Sequence, residues 1–417
     1  MRNKVIKFAS TNLALLLLFA LNPYPRWFLP NGVVQIVFFF TTVLSILQGR
    51  YYLERNRLPL VAAILVYLVY FTLPIWHVFK SGYMLYYIVF IAILFYDEDV
   101  YYEAYKKLKK IFVVVCAFSL LIWLLHLLHI PIPFYHYRPT FRHSAANYYE
   151  IYGLCVRLVF GSADDFGMDR ICGLFAEPGH FGIYLSLIMA VERFEFKTKE
   201  NILMLVTGIL TFSTAFYGML TMGIVYRLLS RQSNLGDIYK FAILIVSLIP
   251  ILVLSPKIMD AAVGRVANYG ADDEGHVTIV SVVENRASDS FKRRFDNFVS
   301  VGNIIIGHQE QIQDTEMLVT NWRGLVYRYG IAGVVIIFVL LLCITKGLPL
   351  TYRMLLLCMA ILVLAHRCYI MYTPGVYMML TLASMCYFRI DEIRKEETKA
   401  DGENEELEWE PSQRMVN

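Results

Sequence analysis

The chain has 417 residues, of which 58% are hydrophobic and 17% charged, with a net charge of +4 and a mean hydropathy of +0.52. Soluble domains carry about 25% charged residues, so this composition excludes an ordinary soluble protein. Several uncharged runs approach the ~18–20 residues that cross a bilayer. The sequence therefore predicts an all-α polytopic integral membrane protein.

The first predicted element is an uncleaved membrane span. The chain starts with basic residues and a short apolar core, as a signal peptide does, but Pro23, Pro25 and Arg26 stand where a cleavage site would lie. The seven cysteines show no CxxC spacing, and most fall in apolar runs, where a free cysteine acts as a small hydrophobe.

Apolar runs recur along the chain and set its predicted organisation. They lie at roughly 8–21, 32–47, 58–79, 82–96, 111–130, 171–191, 202–229, 240–254, 324–345, 354–370 and 372–388. The corresponding regions are N-terminal membrane helices (1–130), a first external loop (131–170), central membrane helices with broken segments (171–254), a second external loop (255–322), C-terminal membrane helices (323–389) and an acidic cytoplasmic tail (390–417).

The run 202–229 decides the number of crossings. Basic residues near the N-terminus and in alternate connections place the N-terminus in the cytoplasm by the positive-inside rule. If 202–229 crossed once, the later basic residues, among them Arg227 and Lys346, would lie outside. If it turns back near Ser213 and Thr214, they lie inside. The sequence therefore predicts about twelve spans with both termini cytoplasmic.

The segment RICGLFAEPGHFGIYLSL (170–187) places charges at the mouth of a span. Pro178 suits the first turn of a helix, which makes Glu177 the N-cap and leaves a helix too short for a full crossing. Residues 171–177 are then predicted to enter the external leaflet as irregular backbone. An ionisable residue there indicates a functional site, and the alternative is an Arg170–Glu177 ion pair that only pins the loop.

The first external loop is rich in arginine and aromatic residues and contains no lysine. Arginine binds phosphate oxygens through two N–H groups at once, and it stacks on aromatic rings. Tyr and Phe rings are also surfaces on which sugars pack, and Arg142 is a candidate substrate-binding residue. The alternative is an ordinary interfacial aromatic belt, which gives no reason for arginine over lysine.

Histidines cluster where this loop begins, at positions 126, 129, 136 and 143. His126 and His129 would share a helix face, which allows a metal site to be considered. The cluster contains no carboxylate, and structural zinc motifs need tighter spacing. We therefore predict no metal.

The second external loop contains a predicted amphipathic helix. Phe291, Phe295 and Phe298 recur at helical spacing, with Lys292, Arg293 and Arg294 between them. Two interpretations stay open: the helix lies on an anionic membrane surface, or it packs on the core of the loop itself.

The chain then returns to the external membrane surface, where several polar residues lie near the ends of two spans. His308, Asn321 and Arg323 precede or begin one span, while His366 and Arg367 lie near the external end of the next. A buried arginine is costly there, so Arg367 is predicted to face the same cavity as Arg170.

The chain contains no nucleotide-binding, zinc-protease or serine-hydrolase motif of the GxxxxGK[ST], GxGxxG, HExxH or GxSxG type. Its usable chemistry is external, rich in arginine and aromatic residues, and open to the lipid. This combination suits a lipid-carried, diphosphate-linked substrate with a polar head.

Three stretches resemble the Wzy-type polymerases of O-antigen and capsular repeat units, to which the O-antigen ligases are related. They are RICGLFAEPGHFG, the turn LTFST, and NWRGLVYRYGIAG after a large external loop. Arg170, Glu177 and Pro178 match the family's Arg and Glu-Pro positions, and Thr211, Ser213 and Thr214 match its Thr/Ser turn. The ligases tend to carry a histidine just before the corresponding span, where this chain has Thr320-Asn321-Trp322, which favours a polymerase.

The resemblance implies a reaction that joins oligosaccharide repeats carried on undecaprenyl diphosphate at the external face of the bacterial inner membrane. The acceptor's hydroxyl attacks the anomeric carbon of the donor glycan, and the lipid diphosphate leaves. Such an enzyme needs cations around the diphosphate and a base for the hydroxyl. The implied partners are lipid-linked donor and acceptor, membrane lipid, a chain-length regulator and a flippase, with no cofactor and no nucleic acid.

Within this resemblance, Arg170, Arg323 and Arg367 form the predicted diphosphate clamp. Glu177 is the candidate base, with His308 as its alternative. Further candidate substrate-binding residues are Arg142, His180, Ser213, Thr214 and Asn321. The competing functions are a ligase, or a flippase or exporter of the same lipid-linked sugar; transporters usually show internal repeats, and none is apparent here.

Overall fold

The structure is a computed structural model, and it describes residues 2–72, 81–138, 148–159, 170–230, 288–301, 304–308 and 321–393. Helices dominate these residues. They are α1 (Arg2–Ala20), α2 (Asn31–Gly49), α3 (Leu58–Thr72), α4 (Ser81–Ile93), α5 (Glu98–Leu127), α6 (Pro178–Val191), α7 (Lys199–Leu210), α8 (Thr214–Leu229), α9 (Asp289–Val301), α10 (Trp322–Ile344), α11 (Leu350–Arg367) and α12 (375–393). Short 3₁₀ helices span Tyr24–Phe28, Arg55–Arg57 and Cys368–Tyr372.

Five helices among the described residues are long and apolar enough to cross a membrane, namely α1, α2, α5, α10 and α11. The surface of α2 also exposes large apolar side chains, which are Val33, Ile36, Val37, Phe40, Leu44 and Leu47. An exposed apolar face of this size is costly in water and suits contact with lipid. The molecule is consistent with a helical membrane protein.

The bundle has two chemically different ends. At one, which we call the basic end, Lys107 of α5 donates from Nζ to the carbonyl oxygen of Lys7 in α1 over 2.9 Å. At the other, which we call the loop end, Tyr24 after α1 donates its N–H to the carbonyl oxygen of Leu174 over 2.7 Å. Tyr24 also donates its hydroxyl to the carbonyl oxygen of Gly153, next to Tyr152, on which Ile122 in the second half of α5 packs. Helices α1 and α5 therefore run in the same direction, from the basic end to the loop end.

Helices α6, α7 and α8 reverse direction twice. A Cβ on Gly182 near the start of α6 would lie 2.9 Å from Cβ of Phe216 near the start of α8. At the other end, Arg227 of α8 donates to the carbonyl oxygen of Phe194, just after α6, over 3.3 Å. Helices α6 and α8 are therefore parallel, α7 runs back between them, and the predicted reversal near Ser213 is present.

The turn between α7 and α8 has a local chemical cause. The Thr211 hydroxyl donates a hydrogen bond to the carbonyl oxygen of Gly208 over 2.6 Å, and Phe212 has a positive φ of +48°. Ser213 then caps α8, because its hydroxyl accepts the N–H of Phe216 at 3.4 Å. With 12 and 16 residues, α7 and α8 are shorter than the ~20 residues of a full crossing.

The first loop also contains a small antiparallel sheet, which the sequence did not predict. Strands β1 (Tyr135–Tyr137), β2 (Tyr148–Ile151) and β3 (Val156–Val159) pair in that order, with Tyr137 opposite Tyr149 and Glu150 opposite Arg157. Strands of three or four residues are too short for an alternating pattern to stand out in the sequence.

Two helices also pass their predicted limits. Helix α5 starts at Glu98 rather than near residue 111, because Asp97 accepts the N–H of Val100 at 3.1 Å and caps it there. Helix α12 continues to 393, past the end of the apolar run at 388, and Asp391 in this last part forms an ion pair with Arg193.

The amphipathic helix α9 is present and packs on the protein. Phe291, Phe295 and Phe298 are buried, and they cover Val326 and Tyr327 at the start of α10. Of the two interpretations, packing on the chain's own core is the one that the structure supports, because the apolar face is already covered.

Candidate functional site

The start of α6 carries the central charged pair of the loop end. As predicted, Pro178 is the first residue of the helix and Glu177 its N-cap. The Glu177 side chain makes no capping hydrogen bond. Its Oε2 instead accepts from Nη1 of Arg367, the last residue of α11. The side chains are 29% and 10% exposed, so the pair is largely withdrawn from water yet accessible at one edge.

The irregular backbone before α6 is held by the neighbouring loops. The N–H of Val156 in β3 donates to the carbonyl oxygen of Gly173 over 2.8 Å. The hydroxyl of Tyr149 in β2 donates to the carbonyl oxygen of Ala176 over 3.0 Å. Non-helical backbone needs such partners when it is buried. The sheet thus fixes the segment that presents Glu177.

Gly179 leaves the space that the Arg367 guanidinium occupies. A Cβ at this position would lie 2.6 Å from Nη2 and 2.8 Å from Cζ of Arg367. Any larger residue would therefore push the guanidinium away from Glu177. The sequence did not predict this role for Gly179; its position two residues after Glu177 was the available signal.

The residue before Arg367 contacts the α7–α8 turn. His366 Nε2 lies 3.1 Å from Oγ1 of Thr214, the first residue of α8. His366 is buried, and consecutive residues at the end of α11 thus touch the starts of α6 and α8. The sequence predicted Thr214 as a substrate-binding residue and placed His366 nearby, but not their contact.

Arg170 binds the same turn from the other side. Its Nε donates to the carbonyl oxygen of Thr211 at 3.0 Å, and its Nη2 donates to that of Phe212 at 2.8 Å. The last carbonyl groups of a helix lack helical partners and carry partial negative charge, so a guanidinium is well suited to them. Glu177 forms an ion pair with Arg367, which the sequence did not predict.

These contacts bring together three places where helices begin or end: the start of α6, the α7–α8 turn and the end of α11. We call the group the broken-helix site, and it consists of Arg170, Glu177, Gly179, the turn 211–214, His366 and Arg367. It combines one carboxylate, two guanidinium groups, an imidazole and hydroxyl groups. Such a set can hold an anionic group and accept a proton next to it.

Other predicted site residues lie around it or away from it. His180 is in the first turn of α6, with its ring centroid 6.3 Å from that of Tyr184. Ser213 caps α8. Arg142 lies outside the described residues.

A second group of predicted residues gathers at the start of α10. The His308 ring stacks on Tyr327 with a centroid distance of 5.0 Å and an angle of 7°. Asn321 caps α10 by accepting the N–H of Arg323 at 3.2 Å. The Arg323 guanidinium lies 5.9 Å from the ring centroid of Phe295. These contacts involve α9 and α10, and the proposed roles of His308, Asn321 and Arg323 in the reaction stay predictions.

The histidines of the first loop do not share a helix face as predicted, because α5 ends at Leu127 and His129 follows it with a positive φ of +55°. His126 is near the end of α5, where its ring meets Tyr152 edge-on at 5.1 Å, and His136 is in β1. His143 lies outside the described residues. Within the part of the chain that the structure describes, no group of three or more His, Cys, Asp or Glu side chains could hold a metal ion.

Comparison with known proteins gives no family. No protein-family model, no curated protein and no solved structure matches the chain. The resemblance to repeat-unit polymerases therefore depends on the three sequence stretches alone, and a function has to be argued from the broken-helix site.

Proposed function

We propose that the chain is a membrane glycosyltransferase that polymerises oligosaccharide repeat units linked to undecaprenyl diphosphate. The product is an O-antigen, a capsule or an exopolysaccharide. The observation that carries this proposal is the Glu177–Arg367 pair at the start of a short helix, beside the turn that Arg170 holds. Charged groups on broken helices are expensive in a membrane and are retained where they act on a substrate.

The proposal includes a topology of about twelve spans in the bacterial inner membrane, with both termini in the cytoplasm. The distribution of charge supports it. Lys107, Lys109, Arg193 and Arg227 lie at the basic end, while the sheet and the broken-helix site lie at the loop end. The loop end is then external, where lipid-linked repeats await polymerisation.

The geometry supports different roles for the two residues of the pair. In the resting protein Arg367 neutralises Glu177. An arriving diphosphate offers the guanidinium a second anion, so Arg367 turns its N–H groups to the phosphate oxygens. The Glu177 carboxylate then loses part of its ion pair and becomes a better hydrogen-bond acceptor for the acceptor's sugar hydroxyl.

The reaction balances without a further reagent. The acceptor oxygen forms a bond to the anomeric carbon of the donor glycan as the bond to the diphosphate oxygen breaks. The diphosphate leaves with the electron pair, and Arg367 stabilises its charge. The proton of the acceptor hydroxyl passes to Glu177. Arg170 positions the α7–α8 turn through its two hydrogen bonds to the carbonyl oxygens of that turn.

Deletion of the gene, followed by electrophoresis of the surface glycans, tests the proposal. A polymerase deletion leaves a single repeat on the final acceptor, and this is the expected result. Loss of all glycan from the final acceptor, with finished polymer still made, would identify a ligase. Accumulation of lipid-linked repeats on the cytoplasmic side would identify a flippase. Unchanged glycans in the deletion strain would refute the whole assignment.

A further inference from the structure

Two helices that carry residues of the broken-helix site pack side by side in opposite directions. The imidazole of His366, near the end of α11, contacts the hydroxyl of Thr214 at the start of α8. Four residues further into each helix, a Cβ on Gly218 would lie 2.8 Å from Cδ2 of Leu362. The line along which the two helices touch therefore starts at the site and runs toward the basic end.

Each of these helices exposes one row of side chains beside that line. Positions three, four or seven apart lie on one face of a helix. Gly218 and Leu362, which face each other, are partly exposed and neighbour the two rows, so the rows adjoin. We call this surface the α8–α11 strip. It consists of Thr214, Tyr217, Thr221, Val225 and Leu228 on α8, and of Leu350, Thr351, Met354 and Ile361 on α11.

The polar groups of the strip that lie nearest the site are hydrogen-bonded within the protein. The Tyr217 hydroxyl donates to the carbonyl oxygen of Ile209 over 2.8 Å, and the Thr221 hydroxyl donates to that of Tyr217 over 2.9 Å. The hydroxyl of Thr214 contacts His366. Because these polar atoms have partners inside the protein, the surface left outward consists of ring and methyl carbons. Such a surface suits a hydrocarbon chain better than a sugar.

The strip is also the outward side of the helices around the Glu177–Arg367 pair. Every residue of α6 except His180 is buried. Residues 375–384 of α12, which follows Arg367 after a short 3₁₀ helix, are buried as well. Among the described helices that adjoin the pair, α8 and α11 are thus the ones that expose an apolar row. A lipid whose headgroup binds Arg367 would place its chain along them.

We infer that the α8–α11 strip binds the polyprenyl chain of the lipid-linked substrate, with the diphosphate at Arg367 and the chain directed toward the basic end. This inference rests on the proposed function, because it gives the lipid carrier of that reaction its place on the protein. Phospholipid meets the same carbon surface, but its phosphodiester carries less negative charge than a diphosphate. The cations of the broken-helix site therefore favour the polyprenyl carrier over the surrounding lipid.

Photocrosslinking tests the strip without any turnover. The photoreactive amino acid p-benzoylphenylalanine replaces Thr221 in the full-length protein, which is purified into nanodiscs of phosphatidylethanolamine and phosphatidylglycerol. The probe is tritiated undecaprenyl diphosphate, which carries no sugar. We expect saturable labelling that excess unlabelled probe removes, at a level about tenfold above that of a control position on another lipid-facing helix.

Val37 of α2 is the matched control position, because its side chain is 51% exposed on an apolar face. Thr221 lies seven residues after the start of α8 at Thr214, and Val37 lies six residues after the start of α2 at Asn31. Both positions are therefore about 10 Å from the loop end of their helix. Equal labelling of the two positions would overturn the inference, since the strip would then contact bulk lipid only.

A second comparison tests whether the headgroup holds the chain in place. Glu177→Gln combined with Arg367→Gln removes the cation that faces the diphosphate without leaving an uncompensated charge. This double change should reduce labelling at Thr221 by about tenfold. Arg293→Gln, at an exposed residue of α9, is the control and should label as the unchanged protein does. Undiminished labelling in a double variant with a normal size-exclusion profile would overturn the inference; if that variant does not fold, the comparison with Val37 decides alone.

Polymerisation of lipid-linked repeats by wild-type protein in the same nanodiscs separates the strip from the proposed function. Polymer formation, together with labelling at Thr221 no stronger than at Val37, refutes the strip and leaves the function standing. Specific labelling at Thr221 by a protein that makes no polymer refutes the polymerase and leaves a surface that binds polyprenyl diphosphate.

Discussion

Two buried arginine–carboxylate pairs, one at each end of the bundle, differ in what surrounds them. At the basic end, Arg193 is paired with Asp391 at 2.6 Å, and its side chain is only 1% exposed. Its guanidinium carbon lies 3.9 Å from the ring centroid of Tyr387, and Nη2 donates to the carbonyl oxygen of the same residue. At the loop end, Arg367 faces Glu177 beside a glycine, a turn and an accessible edge.

These surroundings distinguish a structural arginine from a functional one. Arg193 has a positive φ of +58°, a conformation that favours glycine, so its side-chain contacts must offset the backbone strain. They join the end of α6 to α12 and leave the guanidinium no room for a ligand. Arg367 lies beside Gly179, which has no side chain, and a second anion can reach its ion pair with Glu177. We expect the first pair to hold the fold and the second to bind substrate.

The largest effect on stability should come from breaking the pair at the basic end. Asp391→Ala leaves the buried Arg193 cation uncompensated, which typically costs about 3–5 kcal/mol. Thermal unfolding of the detergent-purified protein, followed by size exclusion, measures this loss. Arg193→Met combined with Asp391→Leu should recover most of the stability and keep polymerisation, because no buried charge remains. A double variant as unstable as Asp391→Ala would contradict the structural role.

A smaller effect, on activity alone, is expected at Arg170. Its two donors reach two carbonyl oxygens in a forked geometry, and the single ammonium group of lysine cannot reproduce this. Arg170→Lys should lower kcat/KM for polymerisation by about 10–100-fold at normal membrane levels. Arg293→Lys in α9 is the matched control, since Arg293 is exposed, and it should change nothing. Equal activities of the two variants would contradict the assignment of Arg170 to the site.

The smallest of these effects is expected at Gly179. In Gly179→Ala the new methyl group displaces the Arg367 guanidinium by a fraction of an ångström while the charges all remain. We expect a reduction of kcat/KM by about three- to tenfold with unchanged thermal stability. Gly218→Ala, in which the new Cβ meets only the flexible tip of Leu362, serves as a comparison and should retain activity.

Local chemistry made parts of this arrangement predictable from the sequence. Pro178 favours the first turn of a helix, so the start of α6 could be placed, and the distribution of basic residues placed the α7–α8 turn near Ser213. The strands of the first loop are too short for their pattern to be distinguished, and the sheet was missed.

Contacts between distant residues could not be predicted in the same way. Glu177 and Arg367 are 190 positions apart, and nothing local in the sequence indicates that they form an ion pair. The burial of Phe291 against Tyr327 depends likewise on how α9 folds back onto α10. The sequence therefore indicated which residues are unusual, while packing decided which of them meet.

The most direct measurement of the central claim is polymer formation by purified protein in which both members of the loop-end pair are neutral. Glu177→Gln and Arg367→Gln each remove one charge, and their combination leaves no buried charge uncompensated. If the pair accepts the proton and binds the diphosphate, the double variant folds as the wild type does but extends no chain, with a loss of at least about 10²-fold. Wild-type rates of chain extension in the double variant would contradict the account and reduce Glu177 and Arg367 to structural residues like Arg193 and Asp391.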